Sequence, residues 1–253
     1  MVRLYLAGNS AAKAAASVGC VKATCLRELK RLGITRRTLS EAGRKYIVDE
    51  TFFDVIDTEE KAYWLGFLTA DGSLYDDNTI SLWLVRKDRR HLSKFKRALK
   101  SKHPIHDLTV TYKGKKYPQS RIQIYSRQLY KSLQKCGVVP RKTFTCRPFD
   151  VPTYLVYHYW RGLVDGDGCI GCYSSWEISL AGTKRICEGF RAWVCKFAKS
   201  KAKVRKLANT KCYKVSFNGN RLAPTILEKL YANSNVWLNR KHKLALLSMK
   251  VKP

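Results

Sequence analysis

Acidic residues are scarce in this sequence: 19 Asp and Glu stand against 49 Lys and Arg, so the formal net charge is +30. A charge of this size destabilises a compact chain by self-repulsion unless a polyanion neutralises it. Solubility alone is better served by added acidic residues than by added basic ones. The imbalance therefore predicts an anionic partner.

Long apolar runs are also absent. No stretch approaches the roughly 18 apolar residues that a membrane-spanning helix needs, and no clear signal peptide is present. The basic residues do not gather on one amphipathic helix; they extend from Arg3 to Lys252 and are interleaved with Tyr, Ser, Asn and Gln. That distribution suits a long phosphate backbone better than a membrane surface. We therefore expect a nucleic-acid partner and no membrane association.

Zinc-type cysteine spacing is missing as well. Cys169 and Cys172 form one C-x-x-C, but no second pair lies at zinc-finger spacing, and on a strand these two side chains would point to opposite faces. The cysteine total of nine is odd, and several cysteines fall in helical or apolar surroundings. We therefore expect reduced cysteines in an intracellular protein, in the cytoplasm or nucleoid of a bacterial or phage system or in an organellar matrix.

The strongest positive signal is a repeated nine-residue motif, at 64–72 (WLGFLTADG) and 160–168 (WRGLVDGDG). Each copy predicts a short apolar helix that ends on Asp-Gly and continues into an alternating, strand-like segment. The copies are separated by about one small domain. A single Asp-Gly is most often only a helix stop. The recurrence of the whole pattern indicates a duplicated unit.

The segments that follow the two copies repeat as well. Each half predicts helix, two strands, helix, two strands, helix, and each ends on Arg-Lys at a similar distance from its Asp-Gly. A hydrophobic content of 45%, with 11% aromatics, is ample for the core of such a fold. We expect an α+β protein with two pseudo-symmetric αββαββα repeats, at 58–147 and 148–253, after a linker at 46–57.

Residues 1–45 differ in composition and predict a small all-α domain. Asn9 or Ser10 can cap a helix that breaks at Gly19, and a second helix is predicted from about Lys22 to Leu32, with Gly33 as its terminator. The spacing matches a helix-turn-helix, although an ordinary basic helical hairpin gives a similar pattern. In the helix-turn-helix interpretation, the second helix carries four DNA-binding candidates: Lys22, Arg27, Lys30 and Arg31.

Small residues within the repeated motif predict a close helix–helix interface, because those four apart share one helix face. If the two helices pack together, Asp71 and Asp167 meet at their C-terminal ends, where the helix dipoles and the second carboxylate oppose ionisation. A hard divalent cation, Mg²⁺ above all beside phosphates, resolves this conflict. Asp165 lies on another side of the helix and is expected to be structural. The predicted interface consists of Gly66, Ala70, Gly162 and Gly166.

The motif pair, with its flanking text AYWLG at 62–66 and GDGCI at 166–170, resembles the LAGLIDADG homing endonuclease family in its single-chain, two-motif form. The resemblance covers roughly residues 58–253. It implies a saddle of two sheets in the DNA major groove and hydrolysis of both strands of a long, asymmetric duplex target, leaving short 3′ overhangs. It also implies a monomer that uses Mg²⁺, with Mn²⁺ as a substitute and Ca²⁺ supporting binding without cleavage.

The same resemblance assigns the metal to the repeated motif. It makes Asp71 and Asp167 the catalytic metal ligands, with help from the backbone carbonyls of Ala70 and Gly166.

Basic residues follow the last helix of each repeat in the family, and Lys142 and Lys241 stand at those positions. A solvated basic segment is the alternative, but the matching offsets of the two lysines favour a catalytic role. A further polar position falls near Lys87 in the first repeat, whereas its expected counterpart, Gly182, has no side chain.

Alternation along the predicted strands selects side chains that face DNA. For any one of them, a solvated position accounts for the pattern about as well as a base contact, since many polar contacts go to phosphate and sugar. The candidates are Lys87, Lys116, Arg121, Gln123 and Tyr125 in the first repeat, and Tyr173, Glu177, Lys203, Arg205, Lys214 and Ser216 in the second.

Two other functions fit the same fold: an RNA-splicing maturase that binds intron RNA, and a DNA-binding regulator that does not cleave. A regulator has no need of the costly Asp71–Asp167 pair, whereas maturase activity could coexist with cleavage. An intein is disfavoured because the sequence shows no His-Asn terminus. A two-carboxylate glycosidase would not need so high a positive charge.

Overall fold

The computed structural model describes residues 1–36 and 46–250. The chain divides into two compact units, and the division falls between Ile47 and Val48. The predicted end of the N-terminal domain, at residue 45, lies outside the described residues. No helix in the described ranges is long and apolar enough to cross a bilayer.

The smaller unit is helical and contains α1 (Val2–Leu6), α2 (Ala11–Ala16) and α3 (Lys22–Arg31). The Ser10 hydroxyl caps α2 by accepting a hydrogen bond from the Lys13 amide at 3.1 Å. Gly19 and Gly33 adopt positive φ after α2 and α3, which ends both helices where the sequence predicts. The first helix was not predicted. The core of this unit consists of Tyr5, Ala11, Ala14, Ala15, Cys25 and Leu29.

The larger unit contains two repeats whose element order agrees with the prediction. The first consists of α4 (Glu59–Asp71), β1 (Gly72–Leu74), β2 (Thr79–Val85), α5 (Arg89–Ala98), β3 (Ile105–Tyr112), β4 (Lys115–Tyr125) and α6 (Arg127–Lys135). The second consists of α7 (Val156–Asp167), β5 (Gly168–Cys172), β6 (Trp176–Gly182), α8 (Lys184–Cys195), β7 (Arg205–Lys206), β8 (Tyr213–Asn218) and α9 (Leu222–Tyr231).

A further helix, α10 (Asn239–Lys250), follows the second repeat. The chain after the first repeat instead passes through 3₁₀ turns at Lys142–Phe144 and Thr153–Leu155 before α7 begins. The two repeats are therefore alike in their sheets and unlike in the segments that follow them.

Each repeat forms one four-stranded antiparallel sheet, in the orders β1-β2-β4-β3 and β5-β6-β8-β7. The registers correspond, because Gly72 pairs with Leu82 and Gly168 pairs with Leu180 directly after the repeated aspartates. Positions in the two sheets can therefore be equated one by one. This arrangement confirms the predicted α+β class with two αββαββα repeats.

One face of each sheet packs on the core. Ile80, Leu82 and Leu84 along β2 belong to the hydrophobic core, whereas the residues between them point to the opposite face. In the second sheet, Ile178 and Leu180 play the same part on β6. The alternation leaves the other face of each sheet available to a partner.

The helices α4 and α7 lie at the centre of the larger unit. Every residue from Ala62 to Thr69 is buried, so α4 is enclosed on all sides. The segment before it, predicted as a linker, is packed as well, since Phe52 and Phe53 are buried in the same core. Most of this segment therefore belongs to the larger unit, in agreement with the boundary between Ile47 and Val48.

Candidate functional site

The helices α4 and α7 are in close backbone contact at two glycines. A Cβ at Gly66 would lie 2.1 Å from the Tyr159 carbonyl oxygen, and one at Gly162 would lie 2.1 Å from the Tyr63 carbonyl oxygen. Both distances are far below van der Waals contact, so only glycine lets the two backbones approach in this way. The geometry is that of the interface expected from the small residues of the motif.

The two repeated aspartates stand where this interface ends. Asp71 is the last residue of α4 and Asp167 is the last residue of α7. A Cβ at Gly166 would lie 2.3 Å from the Ala70 Cβ and 3.4 Å from a carboxylate oxygen of Asp71. The fold therefore brings together one carboxylate from each repeat.

The surroundings of the two carboxylates oppose their ionisation. Burial and then the charge of Asp167 raise the pKa of Asp71 to about 6, against the attraction of Lys241 and Lys142. Asp167 reaches solvent, yet loss of water on its inner side raises its pKa above the usual value, while the two lysines act to lower it. No hydrogen bond or ion pair from residues 46–250 satisfies either carboxylate.

These residues fit a hard divalent cation bound together with a phosphate. Among residues 1–36 and 46–250, no group of three or more His, Cys, Asp or Glu side chains is placed to hold a metal. Mg²⁺ does not need such a group, because it takes one or two protein carboxylates and fills its remaining positions with water and substrate phosphate oxygens. Two unsatisfied carboxylates, one of them exposed, suit that kind of coordination.

The two carbonyls that the family resemblance implies as additional metal ligands accept hydrogen bonds from lysines. Lys142 Nζ donates a hydrogen bond to the Ala70 carbonyl oxygen at 2.7 Å, and Lys241 Nζ donates to that of Gly166 at 3.0 Å. An ammonium group beside a carbonyl repels a metal cation. The carboxylates of Asp71 and Asp167, which have no hydrogen-bond partner among residues 46–250, are the other metal donors at the two helix ends.

Lys142 is held loosely beside Asp71. The preceding residue, Arg141, has a φ of 54°, which turns the chain into the 3₁₀ turn that begins at Lys142. Burial lowers the pKa of Lys142, and the charges of Cys146, Asp167 and Asp71 oppose that change. Its side chain is partly exposed, and its ammonium group makes one hydrogen bond within the described chain. Lys142 therefore keeps N–H donors for a ligand.

Lys241 is held much more tightly. Its ammonium group lies 2.7, 2.8, 3.0 and 2.6 Å from the carbonyl oxygens of Val164, Asp165, Gly166 and Gly168, so at least one of its three N–H donors is shared between two of them, and the residue is only 3% exposed. Three of these carbonyls belong to the last turn of α7, where helix acceptors lack their regular i+4 amide partners, although the Gly168 amide also donates to Val164, and the fourth belongs to Gly168, the first residue of β5. Burial is the main reason that the pKa of Lys241 falls to about 8. Lys241 caps the helix that carries Asp167.

Asp165 anchors the segment that precedes Lys241. It is 1% exposed and accepts hydrogen bonds from the hydroxyls of Tyr63 and Tyr231 at 2.7 and 2.6 Å and from the Leu238 amide at 2.7 Å. Three donors satisfy this carboxylate within the protein. Its geometry is therefore that of a structural residue.

The first repeat holds the same segment through a buried ion pair. Glu59 accepts hydrogen bonds from the amides of Asn235 and Val236 at 2.6 and 3.3 Å and pairs with Arg161 at 2.7 Å. Arg161 is fully buried and also donates to the Val236 carbonyl oxygen at 3.0 Å. Sequence reasoning missed this network because its members belong to different repeats and no local pattern connects them.

A cavity of about 190 Å³ lies beside Asp167 and Lys142, lined also by Cys146, Gly182 and Thr183. Its volume allows several water molecules, since each occupies about 30 Å³ in the liquid. The absent side chain of Gly182 contributes to this space. One side of the site is therefore open to water next to a carboxylate and an ammonium group.

The expected equivalence of Lys87 and Gly182 is wrong. Gly182 lies two positions after Leu180, so the sheet register equates it with Leu84. Leu84 is buried, whereas Lys87 is exposed in a 3₁₀ turn beyond the end of β2. Neither sheet supplies a polar side chain at this position. The two residues were wrongly equated because the hairpin of the second repeat is longer than that of the first.

The register also sorts the predicted DNA-facing side chains of the first sheet. Arg121, Gln123 and Tyr125 lie on β4 on the face away from the core, where they pair with alternate residues of β2. Lys116 lies an even number of residues before the core residue Ile122, so its side chain is on the same face of β4 as the core. It is exposed because the core does not extend to that end of the strand. The expectation that Lys116 shares a face with the other three is wrong.

In the second sheet, the face away from the core carries Glu177, Arg205, Lys214 and Ser216. Lys214 and Glu177 form an ion pair at 3.2 Å on this face. Lys203 is exposed just before β7, and Tyr173 is 74% exposed in the hairpin after β5.

The basic candidates of the smaller unit are exposed on α3. Lys22, Arg27 and Lys30 lie on its surface. Arg31, predicted with them, pairs with Glu28 at 2.7 Å, so part of its charge is already neutralised.

Solved structures resemble this chain in fold, whereas neither protein-family models nor curated protein sequences give a match. A crystal structure of the meganuclease I-SmaMI bound to uncleavable DNA superposes with a TM-score of 0.54 at 11% identity, over 77% of this chain and 90% of that one. The LAGLIDADG meganuclease I-AabMI, bound to uncleaved DNA, gives 0.49 at 15% identity, over 78% and 92%. The N-terminal LAGLIDADG domain of WhiA gives 0.46 at 19% identity, over 79% and 95%.

This chain combines two equivalent four-stranded sheets with a central helix pair in glycine contact and an aspartate at the end of each of those helices. The chain has the LAGLIDADG fold, with both repeats in a single polypeptide.

Proposed function

We propose that this chain is a site-specific, metal-dependent homing endonuclease that hydrolyses both strands of a long, asymmetric DNA duplex and leaves short 3′ overhangs. The observation that carries the proposal is the pair formed by Asp71 and Asp167. Their carboxylates meet at the ends of two packed helices, lack hydrogen-bond partners in the described chain and have raised pKa values. A protein that only bound DNA would gain stability by replacing them.

The residues around this pair would have different roles in the reaction. A bound Mg²⁺ would polarise the scissile phosphate and lower the pKa of a water molecule. Asp71 and Asp167 would hold the cation, and Lys142 would place positive charge where the phosphate gains negative charge. Lys241 would fix the end of α7 and so keep Asp167 in position. Mn²⁺ is expected to replace Mg²⁺, whereas Ca²⁺ is expected to support binding only.

The rest of the chain supplies the DNA-binding surface. The face of each sheet away from the core would lie in the major groove, where base pairs are distinguishable. The net charge of +30 favours a polyanion along the whole molecule. The two sheets carry different side chains on these faces, so a monomer bound to an asymmetric target is expected. We also propose that α3 contacts DNA in the manner of a helix-turn-helix, and that the protein acts inside the cell.

A cleavage selection tests the proposal. The purified protein and Mg²⁺ are incubated with the genomic DNA that flanks its gene and with a library of random duplexes, and the ends of the products are sequenced. The proposal expects one preferred site, cut in both strands with 3′ overhangs, and no cutting in EDTA. Specific binding of duplex DNA or of intron RNA without any cutting would overturn it in favour of a regulator or a maturase.

A further inference from the structure

A stacked side-chain pair on the first sheet has no equal on the second. Trp83 on β2 and Arg121 on β4 lie directly opposite each other, on the face away from the core. The guanidinium carbon of Arg121 is 4.8 Å from the centre of the Trp83 ring, a cation–π contact. The Trp83 indole N–H donates to the Ser81 hydroxyl at 2.9 Å, which fixes the ring. The guanidinium therefore rests on a platform that is itself held in place.

Arg121 has no polar partner within the described chain. Its Nε is buried and makes no hydrogen bond with residues 1–36 or 46–250, and it forms no ion pair with any acidic side chain among them. The side chain as a whole is partly exposed. A buried N–H donor such as this Nε, which has lost water without gaining a hydrogen bond, is costly. The contact that would compensate this cost must come from outside the described chain.

The neighbours of Arg121 on this face do not compete for it, because none of them is acidic. By register, they are Ser81, His106, Gln119 and Gln123.

The second sheet is different at the same place. Trp83 and Arg121 correspond to Ala181 and Lys214, which pair one position beyond Leu180 in the second sheet. Ala181 offers no ring, and Lys214 is already paired with Glu177 at 3.2 Å. Lysine also lacks the planar fork of arginine. Of the two described sheets, only the first therefore presents an unpaired guanidinium whose plane is fixed by an aromatic ring and can face a planar ligand.

We propose that Arg121 reads one guanine in the half of the DNA target that the first repeat binds, with Trp83 as its positioning residue. The inference rests on the proposed function, in which this face lies in the major groove. The two acceptors of guanine there, O6 and N7, match the guanidinium fork. A phosphate could also receive a guanidinium, but it needs no fixed ring platform. A matched guanine is expected to improve binding roughly 5- to 150-fold over another base at that position.

Binding without cleavage tests this assignment. Wild type, Arg121→Ala, Arg121→Lys and the control Lys184→Ala, at an exposed lysine of α8, are each equilibrated in EDTA with duplexes randomised over the target, and the bound fractions are sequenced. Wild type and Lys184→Ala are expected to enrich guanine at the same position. Arg121→Ala is expected to lose that preference and keep the others, and Arg121→Lys to keep affinity better than discrimination. Thermal unfolding of each variant checks that the fold is intact.

A base analogue separates base recognition from phosphate binding. Replacing the preferred guanine by 7-deazaguanine removes the N7 acceptor and leaves the phosphates unchanged. Wild type is expected to bind this duplex about 5-fold or more weakly, and Arg121→Ala to bind both duplexes equally. Trp83→Leu is expected to reduce the effect of the analogue while Arg121 remains.

The results that overturn the inference differ from those that overturn the proposed function. A uniform loss of affinity in Arg121→Ala, with an unchanged base preference, would make Arg121 a phosphate contact. An equal effect of 7-deazaguanine on wild type and Arg121→Ala would also refute guanine recognition by this residue. Absence of sequence-selective DNA binding by the wild type would refute the inference together with the proposed saddle.

Discussion

At the scale of single residues, the two lysines that the sequence presents as equivalents occupy different environments. Lys142 makes one hydrogen bond to the Ala70 carbonyl and remains partly exposed. Lys241 is buried against four carbonyls at the end of α7. The first can move towards a phosphate, whereas the second cannot do so without uncapping the helix. Equal positions in a duplicated chain therefore do not imply equal roles.

Replacement of each lysine by alanine should separate these roles. Lys241→Ala leaves buried carbonyls unsatisfied and should lower the free energy of unfolding by about 1–3 kcal/mol or more, whereas Lys142→Ala should lower it by less than about 1 kcal/mol. Urea unfolding measures both changes. Lys142→Ala should nevertheless slow DNA cleavage strongly, although the variant remains as stably folded as the wild type to within that limit. Equal losses of stability in the two variants would contradict the difference in capping.

Asp71 should reduce stability at neutral pH in the absence of divalent ions. Its pKa is about 6 in the folded chain and about 3.9 in an unfolded one, so the folded state holds its proton more firmly between these values. Stability from this group is therefore present below about pH 4 and is lost as the pH rises through about 6. Asp71→Asn should remove that loss and raise the free energy of unfolding by on the order of 2 kcal/mol at pH 7.

Chemical unfolding of wild type and Asp71→Asn at pH 4.5 and pH 7.5, in EDTA, measures this effect. The gain in the free energy of unfolding of the variant over the wild type should be larger at pH 7.5 than at pH 4.5. Asp76→Asn, in an exposed hairpin turn, is the matched control and should change neither value by more than about 0.5 kcal/mol. An Asp71→Asn variant that is less stable than the wild type at pH 7.5 would show that this carboxylate is satisfied in the folded protein.

At the scale of secondary-structure elements, the contact between α4 and α7 determines where the carboxylates lie. Gly66 and Gly162 allow the backbones to approach until a Cβ would be 2.1 Å from the opposite carbonyl oxygen. Close packing there is a condition for bringing Asp71 and Asp167 together. The same helices carry the Glu59–Arg161 ion pair, which connects the repeats away from the site.

Gly162→Ala should force the two helices apart. The added methyl group overlaps backbone atoms rather than a flexible side chain, so the cost should exceed the roughly 1–3 kcal/mol typical of overpacking. Gly114→Ala, where φ is 73° and no atom lies within 4 Å, should cost only about 1 kcal/mol of backbone strain. Thermal unfolding compares the two variants. Similar midpoints would mean that α4 and α7 are not in close contact.

Elements were predictable from the sequence where the pattern is local. The period of the apolar residues located the helices and most strands, and the duplicated Asp-Gly located the helix ends that carry the carboxylates. Sheet register was not predictable, because it depends on pairing between distant strands. For that reason Lys116 was placed on the wrong face and Lys87 was equated with Gly182. The capping role of Lys241 was not predictable for the same reason, because its acceptors are far from it in the sequence.

At the scale of the whole molecule, charge is the dominant property. A net charge of +30 would favour association with any nucleic acid, so affinity alone does not report on the site. The contribution of the small unit can be isolated because Lys22, Arg27 and Lys30 are exposed on α3.

The salt dependence of DNA binding should report how many of these charges meet phosphates. For the full chain, the affinity should fall by roughly 10³-fold or more between about 50 and 200 mM salt. A triple alanine variant at the three α3 positions should reduce the slope of log affinity against log salt by about 0.9 for each phosphate that it no longer neutralises. Lys184→Ala on α8, at another exposed lysine, is the control. An unchanged slope in the triple variant would mean that α3 does not bind DNA.

The central claim is that Asp71 and Asp167 together support metal-dependent cleavage, and separate carboxylate-to-amide variants test it most directly. Wild type, Asp71→Asn, Asp167→Asn and the control Asp76→Asn are assayed on a target duplex labelled on each strand, with Mg²⁺, with Ca²⁺ and with EDTA. The account predicts that either site variant loses double-strand cleavage while keeping DNA affinity in Ca²⁺, and that Asp76→Asn cleaves like the wild type. Full cleavage by Asp71→Asn or Asp167→Asn, or by the wild type in EDTA, would contradict it.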